Sequence, residues 1–328
     1  MVKPVIAFLS FLTLLFLSGC ISPDLETSSI KKVMVYTDHV GSEDSLIFNH
    51  FYKKEKIKVS VRLFSSEEIL EIIQTEKFDS YADLIILHGS NQLSKAANLK
   101  LFRSFSDENL KTNIANNYIS NQKNWIALSK TPLVVAYDKR ILKEDTISNY
   151  SDLLFPNWKD KIALQNLDNS TLVVLENSLS QMEAKILHDF KSKLIKQSIL
   201  TKTGNDLMQI KRIQTNQAQV AIVELASMEK RKLEKDSLAT KLKNQVGVIF
   251  PSQTKKGSFY NVTGGGIYRY ARNPENAQKL LEYLTTKGPQ YFFASGRFEF
   301  PVNESVNVDY RLEQYGKFRA RFYAPKNQ

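Results

Sequence analysis

Short apolar runs alternate with amphipathic segments in the first part of the chain. Strands are predicted over Val33–Tyr36, the period-two segment Ile57–Leu63 and the apolar run Asp83–Leu87. Helices are predicted between them, over Ser45–Lys53 and after Ser65–Glu68, a segment that resembles a capping box. This β-α-β-α-β order predicts an α/β fold, with a parallel sheet covered by helices on both faces.

A second α/β stretch follows. Strands are predicted over Leu133–Tyr137, Lys161–Leu164, Gln219–Val223, Gln245–Phe250 and Ser258–Tyr268, and helices near 175–197, over Asp206–Thr215 and from Asn273-Pro274 to Gly288-Pro289. Gly264-Gly265-Gly266 lies within an extended segment, which indicates a close backbone approach rather than a phosphate loop.

Two α/β stretches predict two lobes with a ligand cleft between them, because ligands bind at the carboxyl ends of strands in such sheets. We expect residues 31–132 to form the first part of lobe 1 and residues 133–258 to form lobe 2. Residues 259–328 are expected to return to lobe 1 and to supply the C-terminal segments.

Composition excludes several classes of protein. The 328 residues are 42% hydrophobic and 24% charged, which excludes wholesale disorder, a collagen-like repeat and a polytopic membrane protein. The net charge of +11 is spread along the chain, and without a recognition motif it does not indicate a nucleic-acid partner. No phosphate-binding loop, nucleophile elbow or paired-histidine metal motif is present, so we expect no enzyme activity.

The single cysteine lies at the end of an N-terminal apolar segment. Lys3 precedes the apolar run Val5–Leu17, which is typical of a secretory signal peptide. The sequence Leu17-Ser18-Gly19-Cys20 resembles the bacterial lipobox, in which the cysteine is lipidated and becomes the new N-terminus. We therefore expect residues 1–19 to be a lipoprotein signal peptide, Cys20 to carry the lipid, and residues 20–30 to be a polar tether.

From Val33 to about Val302 the chain resembles the ferric-iron class of solute-binding proteins of ABC importers. The resemblance rests on an ordered series of segments: Lys32–Thr37, Trp125–Lys130, Leu154–Ile162, Gly204–Asp206, Ala218–Val223, Gly247–Gln253, Asn261–Gly266, Phe293–Gly296 and Phe298–Val302. It implies the two-lobed periplasmic-binding-protein type II fold with an interlobe ligand cleft.

The resemblance also implies a function in the bacterial cell envelope. A monomer on the extracytoplasmic side, lipid-anchored through Cys20, would capture a small ligand or metal ion and deliver it to an ABC permease in the inner membrane. It would have no resident cofactor, and any metal ion would be the transported ligand. The alternative is a binding or sensory lipoprotein for a divalent metal or small polar organic solute, without a dedicated importer.

The chain departs from the family where ferric iron would bind. The resemblance places two adjacent iron-binding tyrosines where this chain has Ala226-Ser227, and a third near Ser170-Thr171. The family's anion-binding arginine would fall within Lys130–Leu133, which holds none. The family's histidine survives only as His39, one position early.

Two predictions for the site stay open. His39, His88 and Glu224 offer imidazole and carboxylate ligands, which suit a borderline divalent metal. A wider polar lining would instead hydrogen-bond a small organic molecule. The candidate cleft residues are Asp38, His39, His88, Ser129, Thr131, Ser170, Thr171, Glu224, Ser227, Tyr260 and Asn261.

Overall fold

The computed structural model describes residues 31–165, 190–201, 205–254 and 256–321, together with Leu175 and Leu179. Cys20, Ser170, Thr171 and most of the helix expected near 175–197 lie outside these residues, so the expectations about them stay predictions. No helix in the described ranges is long and apolar enough to cross a bilayer.

The described elements largely follow the expected order. The strands are β1 (Lys31–Thr37), β2 (Ile57–Leu63), β3 (Leu84–His88), β4 (Ile126–Asp138), β5 (Ile162–Gln165), β6 (Ser198–Thr201), β7 (Val220–Glu224), β8 (Val246–Ile249), β9 (Ser258–Ile267), β10 (Phe300–Pro301) and β11 (Ala320–Arg321). The α-helices are α1 (Asp44–Glu55), α2 (Ser66–Glu76), α3 (Ser90–Asn98), α4 (Phe190–Gln197), α5 (Asp206–Gln214), α6 (Leu225–Lys232), α7 (Ser237–Gln245), α8 (Pro274–Leu284), α9 (Lys287–Arg297) and α10 (Tyr310–Glu313).

Strand β4 belongs to two regions of sheet. The first region contains β1, β2, β3, β9 and the first half of β4. The second region contains the second half of β4 with β5, β6, β7 and β8. The first half of β4 pairs antiparallel with β9, and its second half pairs antiparallel with β7 and β8. The main strand order is β2-β1-β3-β9-β4-β7-β5-β6. Strands β1, β2 and β3 pair in parallel, as the β-α-β-α-β order predicts, and so do β5, β6 and β7.

Separate hydrophobic clusters cover the two regions. One packs Val35, Phe51 and Leu281 around β1, β3 and β9. Two others lie along β4, β5 and β7, one built around Tyr150 and the other around Met228. This division matches the two expected lobes in outline, while the boundaries at 132 and 258 stay a prediction.

The C-terminal segment reaches the second region. Phe298, Phe300 and Leu312 pack in the same cluster as Met228, and β11 pairs with the start of β9. The chain after residue 259 therefore packs against both regions of the sheet, because β9 itself pairs with β3 at one end and reaches β11 at the other.

Two local predictions are confirmed. Ser65 and Glu68 form the expected capping box at the start of α2. The three glycines on β9 permit a close backbone approach, since a Cβ at Gly264 would meet the Ile126 carbonyl oxygen at 2.5 Å.

Candidate functional site

Two histidines lie at the carboxyl ends of neighbouring parallel strands. His88 ends β3, and His39 follows β1 by two residues. Asp38 joins the two ends, because its Oδ1 accepts a hydrogen bond from the His88 backbone N at 2.8 Å. Its Oδ2 accepts a hydrogen bond from Ser66 at the start of α2. The two imidazole rings stack, with centroids 4.7 Å apart.

Glu299 pairs with His39. It follows α9 and is buried, and its Oε1 lies 2.5 Å from His39 Nε2. Its Oε2 accepts a hydrogen bond from the Ser129 hydroxyl. Burial opposes the charged form of Glu299, but His39 and Arg297 hold the pKa of this carboxyl well below its ordinary value. Burial lowers the pKa of His39, so a neutral imidazole donates to an ionised carboxylate.

Glu224 pairs with His88 across the two regions of sheet. It ends β7, and both of its carboxylate oxygens lie 3.0 Å from His88 Nε2. Asn261 Nδ2 donates to Glu224 Oε1 at 2.6 Å, and His88 Nδ1 lies 2.9 Å from Thr263 Oγ1. Burial disfavours the charge on His88, but Glu224 outweighs it and raises the pKa of His88 to about 9. At neutral pH His88 is therefore an imidazolium that donates from both nitrogens.

A second carboxyl group lies behind Glu224. Asp206 Oδ2 accepts a hydrogen bond from the Glu224 backbone N at 2.9 Å, and Ser227 also hydrogen-bonds to Asp206. Burial and the charge of Glu224 raise the pKa of Asp206 to about 7. Thr131 Oγ1 accepts from the Ala226 backbone N at 3.3 Å. Ser227 and Thr131 thus hold the first turn of α6.

The structure brings several of the expected residues together. Hydrogen bonds join His39 to Ser129 through Glu299, and join His88 to Glu224 and Asn261. The stacked imidazole rings bring these two groups together, and Asp38 supports them from the strand ends.

Tyr260 does not join this cluster. Side chains alternate along a strand, so Asn261 and Thr263 face His88 while Tyr260 faces the opposite side, toward Phe300 and Phe318. Tyr36 is also directed elsewhere, since it is buried and its hydroxyl accepts from Arg62 at 3.3 Å.

Glu299 was not among the residues that the sequence predicted for the site. The structure places one donor atom each from His39, His88 and Glu299 within 4.8 Å of one another, a spacing that allows a shared metal ion. The expected set had Glu224 in the place of Glu299. Glu299 lies within Phe298–Val302, a segment that was used only as evidence for the family resemblance.

Comparisons with known proteins identify the family. The sequence profile of the bacterial extracellular solute-binding proteins matches residues 79–321. Iron uptake protein A1 of Synechocystis is 26% identical over 298 residues, covering 88% of this chain and 81% of that protein. The major ferric iron-binding protein of Neisseria meningitidis is 22% identical over 311 residues, covering 90% and 88%.

Solved structures identify the fold. The Trichodesmium FutA (IdiA) protein in complex with iron and citrate superposes with a TM-score of 0.83 at 26% identity, covering 88% of this chain and 92% of that one. The ferric binding protein of Campylobacter jejuni gives a TM-score of 0.82 at 22% identity, with the same coverage. The expected two-lobed type II fold is confirmed. Because the family profile covers most of its length, the chain belongs to the bacterial extracellular solute-binding proteins.

Proposed function

We propose that this chain is the lipid-anchored solute-binding component of an ABC importer, and that its ligand is a divalent transition-metal ion held between the lobes. The family supports the solute-binding function, and relatives are named for iron uptake and for ferric-iron binding. Anchoring through Cys20 and delivery to a permease are part of the proposal.

The observation that carries the ligand assignment is the convergence of His39, His88 and Glu299. Imidazole nitrogen and carboxylate oxygen together suit borderline divalent ions of the first transition row. Glu224 contacts His88 Nε2 at 3.0 Å and would help to orient the imidazole in the metal-bound protein.

The same geometry argues against a ferric tyrosinate site. Ala226 and Ser227, at the place of the family's paired tyrosines, lie in the first turn of α6, and Tyr260 faces the opposite side of β9. Without phenolates at the cluster, a hard ferric ion would lose its main source of affinity, whereas a divalent ion keeps ordinary ligands.

Closure of the lobes follows from the same contacts. His88 belongs to β3 and Glu224 to β7, so their pairing joins the two regions of sheet. A ligand held by His39, His88 and Glu299 favours the closed arrangement only if it also contacts Glu224, because Glu224 is the one of these residues that belongs to β7.

Native mass spectrometry with elemental analysis of the purified full chain tests the proposal. The metal-stripped protein is then titrated with Mn²⁺, Co²⁺ and Zn²⁺ by calorimetry. We expect one ion per chain, with affinity rising along that series, and a loss of at least about tenfold in His88→Ala and in Glu299→Gln. His50→Ala is the matched control, because His50 is exposed on α1.

Two outcomes contradict the metal assignment. Binding that is equal in wild type, His88→Ala and Glu299→Gln places the ion elsewhere. An absence of any metal response leaves a small polar organic solute as the ligand, which is the alternative that the polar lining allows.

A further inference from the structure

A basic surface lies at the end of the first sheet region opposite the histidines. Leu84 at the start of β3 pairs with Val35 on β1 and with Ile267 at the end of β9. His88 is four residues along β3, about 13 Å away. Lys31, the first described residue, begins β1 at this same end of the sheet, so the expected tether joins the protein here.

A cavity of about 170 Å³ opens at this end of the sheet. Its lining consists of Ile73, Gln74, Lys77, Leu99, Lys100, Leu101, Tyr268, Arg269 and Tyr270. Three of these residues are cations, and none is Asp or Glu. Within the described residues, no carboxylate lies within 4.0 Å of the Lys77, Lys100 or Arg269 side-chain nitrogens.

Backbone contacts hold the three cations in place. The Tyr268 hydroxyl donates to the Lys77 carbonyl oxygen at 2.8 Å. The Arg269 backbone N donates to the Leu101 carbonyl oxygen at 2.7 Å, and the Lys100 backbone N donates to that of Ala97 at 2.9 Å. The three positive charges therefore project from a fixed frame rather than from a flexible tail.

Exposed apolar and aromatic side chains adjoin the cavity. Phe78 is 69% exposed, Tyr270 44% and Leu99 40%. Tyr81, 54% exposed, carries the Arg272 guanidinium 4.6 Å above its ring. Aromatic rings beside Lys and Arg are typical of surfaces that lie at the headgroup level of a membrane.

We call Lys77, Phe78, Leu99, Lys100, Arg269 and Tyr270 the distal face, and we propose that it docks on the anionic lipid headgroups of the membrane that carries the anchor. Its cations attract acidic headgroups, and its exposed rings insert among them. Glu76 and Asp79 lie on the adjacent turn, but with Arg272 the cations of this surface outnumber them.

The membrane is the proposed partner of the distal face because the tether joins the protein at Lys31, at the same end of the sheet. The inference rests on the proposed lipid anchor at Cys20. Ten residues, Ile21–Ile30, span at most about 35 Å when extended, so the anchor keeps this end of the sheet close to lipid. Because the histidines lie at the opposite end of β3, docking of the distal face directs the ligand site away from the membrane. We infer that this is the resting orientation in which the protein collects solute.

The test measures how accessible the distal face is on vesicles. The lipidated full chain is reconstituted on phosphatidylcholine alone or on phosphatidylcholine with phosphatidylglycerol. With Cys20 lipidated, a cysteine introduced by Gln74→Cys is the single free thiol. Thr240→Cys, exposed on α7 of the second region, is the matched control. The readout is the rate of labelling by a water-soluble maleimide.

We expect Gln74→Cys to react at least about tenfold more slowly on the anionic vesicles, and Thr240→Cys to react equally on both. Each basic residue near an anionic surface contributes about fivefold. Replacing Lys77, Lys100 and Arg269 by Ala should therefore restore the rate, as should high salt. The near-ultraviolet circular dichroism of the triple variant must match that of wild type.

Equal labelling of Gln74→Cys on the two kinds of vesicle overturns the proposal. So does release by inorganic phosphate but not by sodium chloride of equal ionic strength, because that identifies a free-anion site. If the protein fails to float with neutral vesicles, the anchor is refuted. Flotation with anionic vesicles that is lost in the triple variant then still supports the distal face, and equal flotation of both proteins refutes it.

Discussion

The contact between His88 and Glu224 should behave as an energetic link between the lobes. We consider His88→Ala, Glu224→Ala and the double variant in metal-free protein at neutral pH. Each single change leaves a buried, charged partner without its counter-ion. Removing one partner of a buried ion pair lowers the free energy of unfolding by about 3 kcal/mol or more. Both residues are largely buried, with 21% and 8% of their side chains exposed, so solvent screens the pair little.

The free energy of unfolding should fall by less in the double variant than the sum of the losses in the two single variants. Two charge-assisted contacts of 3.0 Å join the side chains, and hydrogen bonds to charged groups contribute about 2 kcal/mol. We therefore expect a loss of about 4 kcal/mol in the double variant rather than about 6. The hydrogen bond from Asn261 to Glu224 is lost in Glu224→Ala and in the double variant alike, so it cancels in the cycle and the coupling reports the His88 contact.

Urea unfolding in the presence of a chelator measures these free energies, and small-angle scattering reports whether the single variants open. Asp107 and Lys111 offer a control pair, because they interact at 2.9 Å within one region and Lys111 is exposed. A coupling for His88 and Glu224 no larger than that of the control pair would refute the reasoning.

The coupling should also depend on pH in one direction. The pKa of His88 is raised to about 9 in the folded protein, above its ordinary value of 6.5. Its contribution to stability is therefore fully present below pH 6.5 and is lost as the pH rises through about 9. A cycle repeated above that pH should give a coupling close to zero.

Three further predictions concern other parts of the chain. Arg140 holds the pKa of the buried Asp138 below its ordinary value against the opposing effect of burial, so this pair stabilises the protein above about pH 4. Asp138→Asn should flatten the acid side of the stability profile, measured by thermal unfolding, and an unchanged slope counts against the pair. Protein saturated with ferric iron and a synergistic anion should show no visible phenolate charge-transfer band, and a strong band that is lost in Tyr260→Phe would restore a tyrosinate site. Cys20→Ala should yield a soluble or unprocessed form, and membrane fractionation at the wild-type processed mass excludes the lipid anchor.

Local features of the fold were predictable from the sequence. The capping box at Ser65 and the parallel strands β1 to β3 depend on residues that lie close together along the chain. Strand β4 was predicted only in part, because Lys130-Thr131-Pro132 interrupts its apolar pattern. Gly288-Pro289 was expected to end a helix but lies in the first turn of α9, where a proline without an N–H is tolerated.

The site was harder to predict because its contacts are distant in sequence. His39 and Glu299 are 260 residues apart, and His88 and Glu224 are 136 apart. A strand pattern shows that Asn261 and Tyr260 face opposite sides but does not show which side meets the cleft. Only the register of β9 against β3, with Thr263 opposite His88, determines that choice.

Charge balance at the cluster gives an independent reason to expect a divalent ion. In the free protein the Glu224 and Glu299 carboxylates face one imidazolium, His88, and one neutral imidazole, His39. A metal ion that binds His88 must displace its proton, after which two carboxylates neutralise two positive charges. A ferric ion would bring a third charge, which Glu224 and Glu299 do not balance between them. The nearby Asp38 and Asp206 carboxyls already accept backbone hydrogen bonds from His88 and Glu224. Lys130–Leu133, where the family resemblance places an anion-binding arginine, contains none, and the Lys130 ammonium lies over the Tyr118 and Tyr260 rings instead. The arrangement of charge and the replacement of phenolates by imidazoles thus favour the same class of ligand.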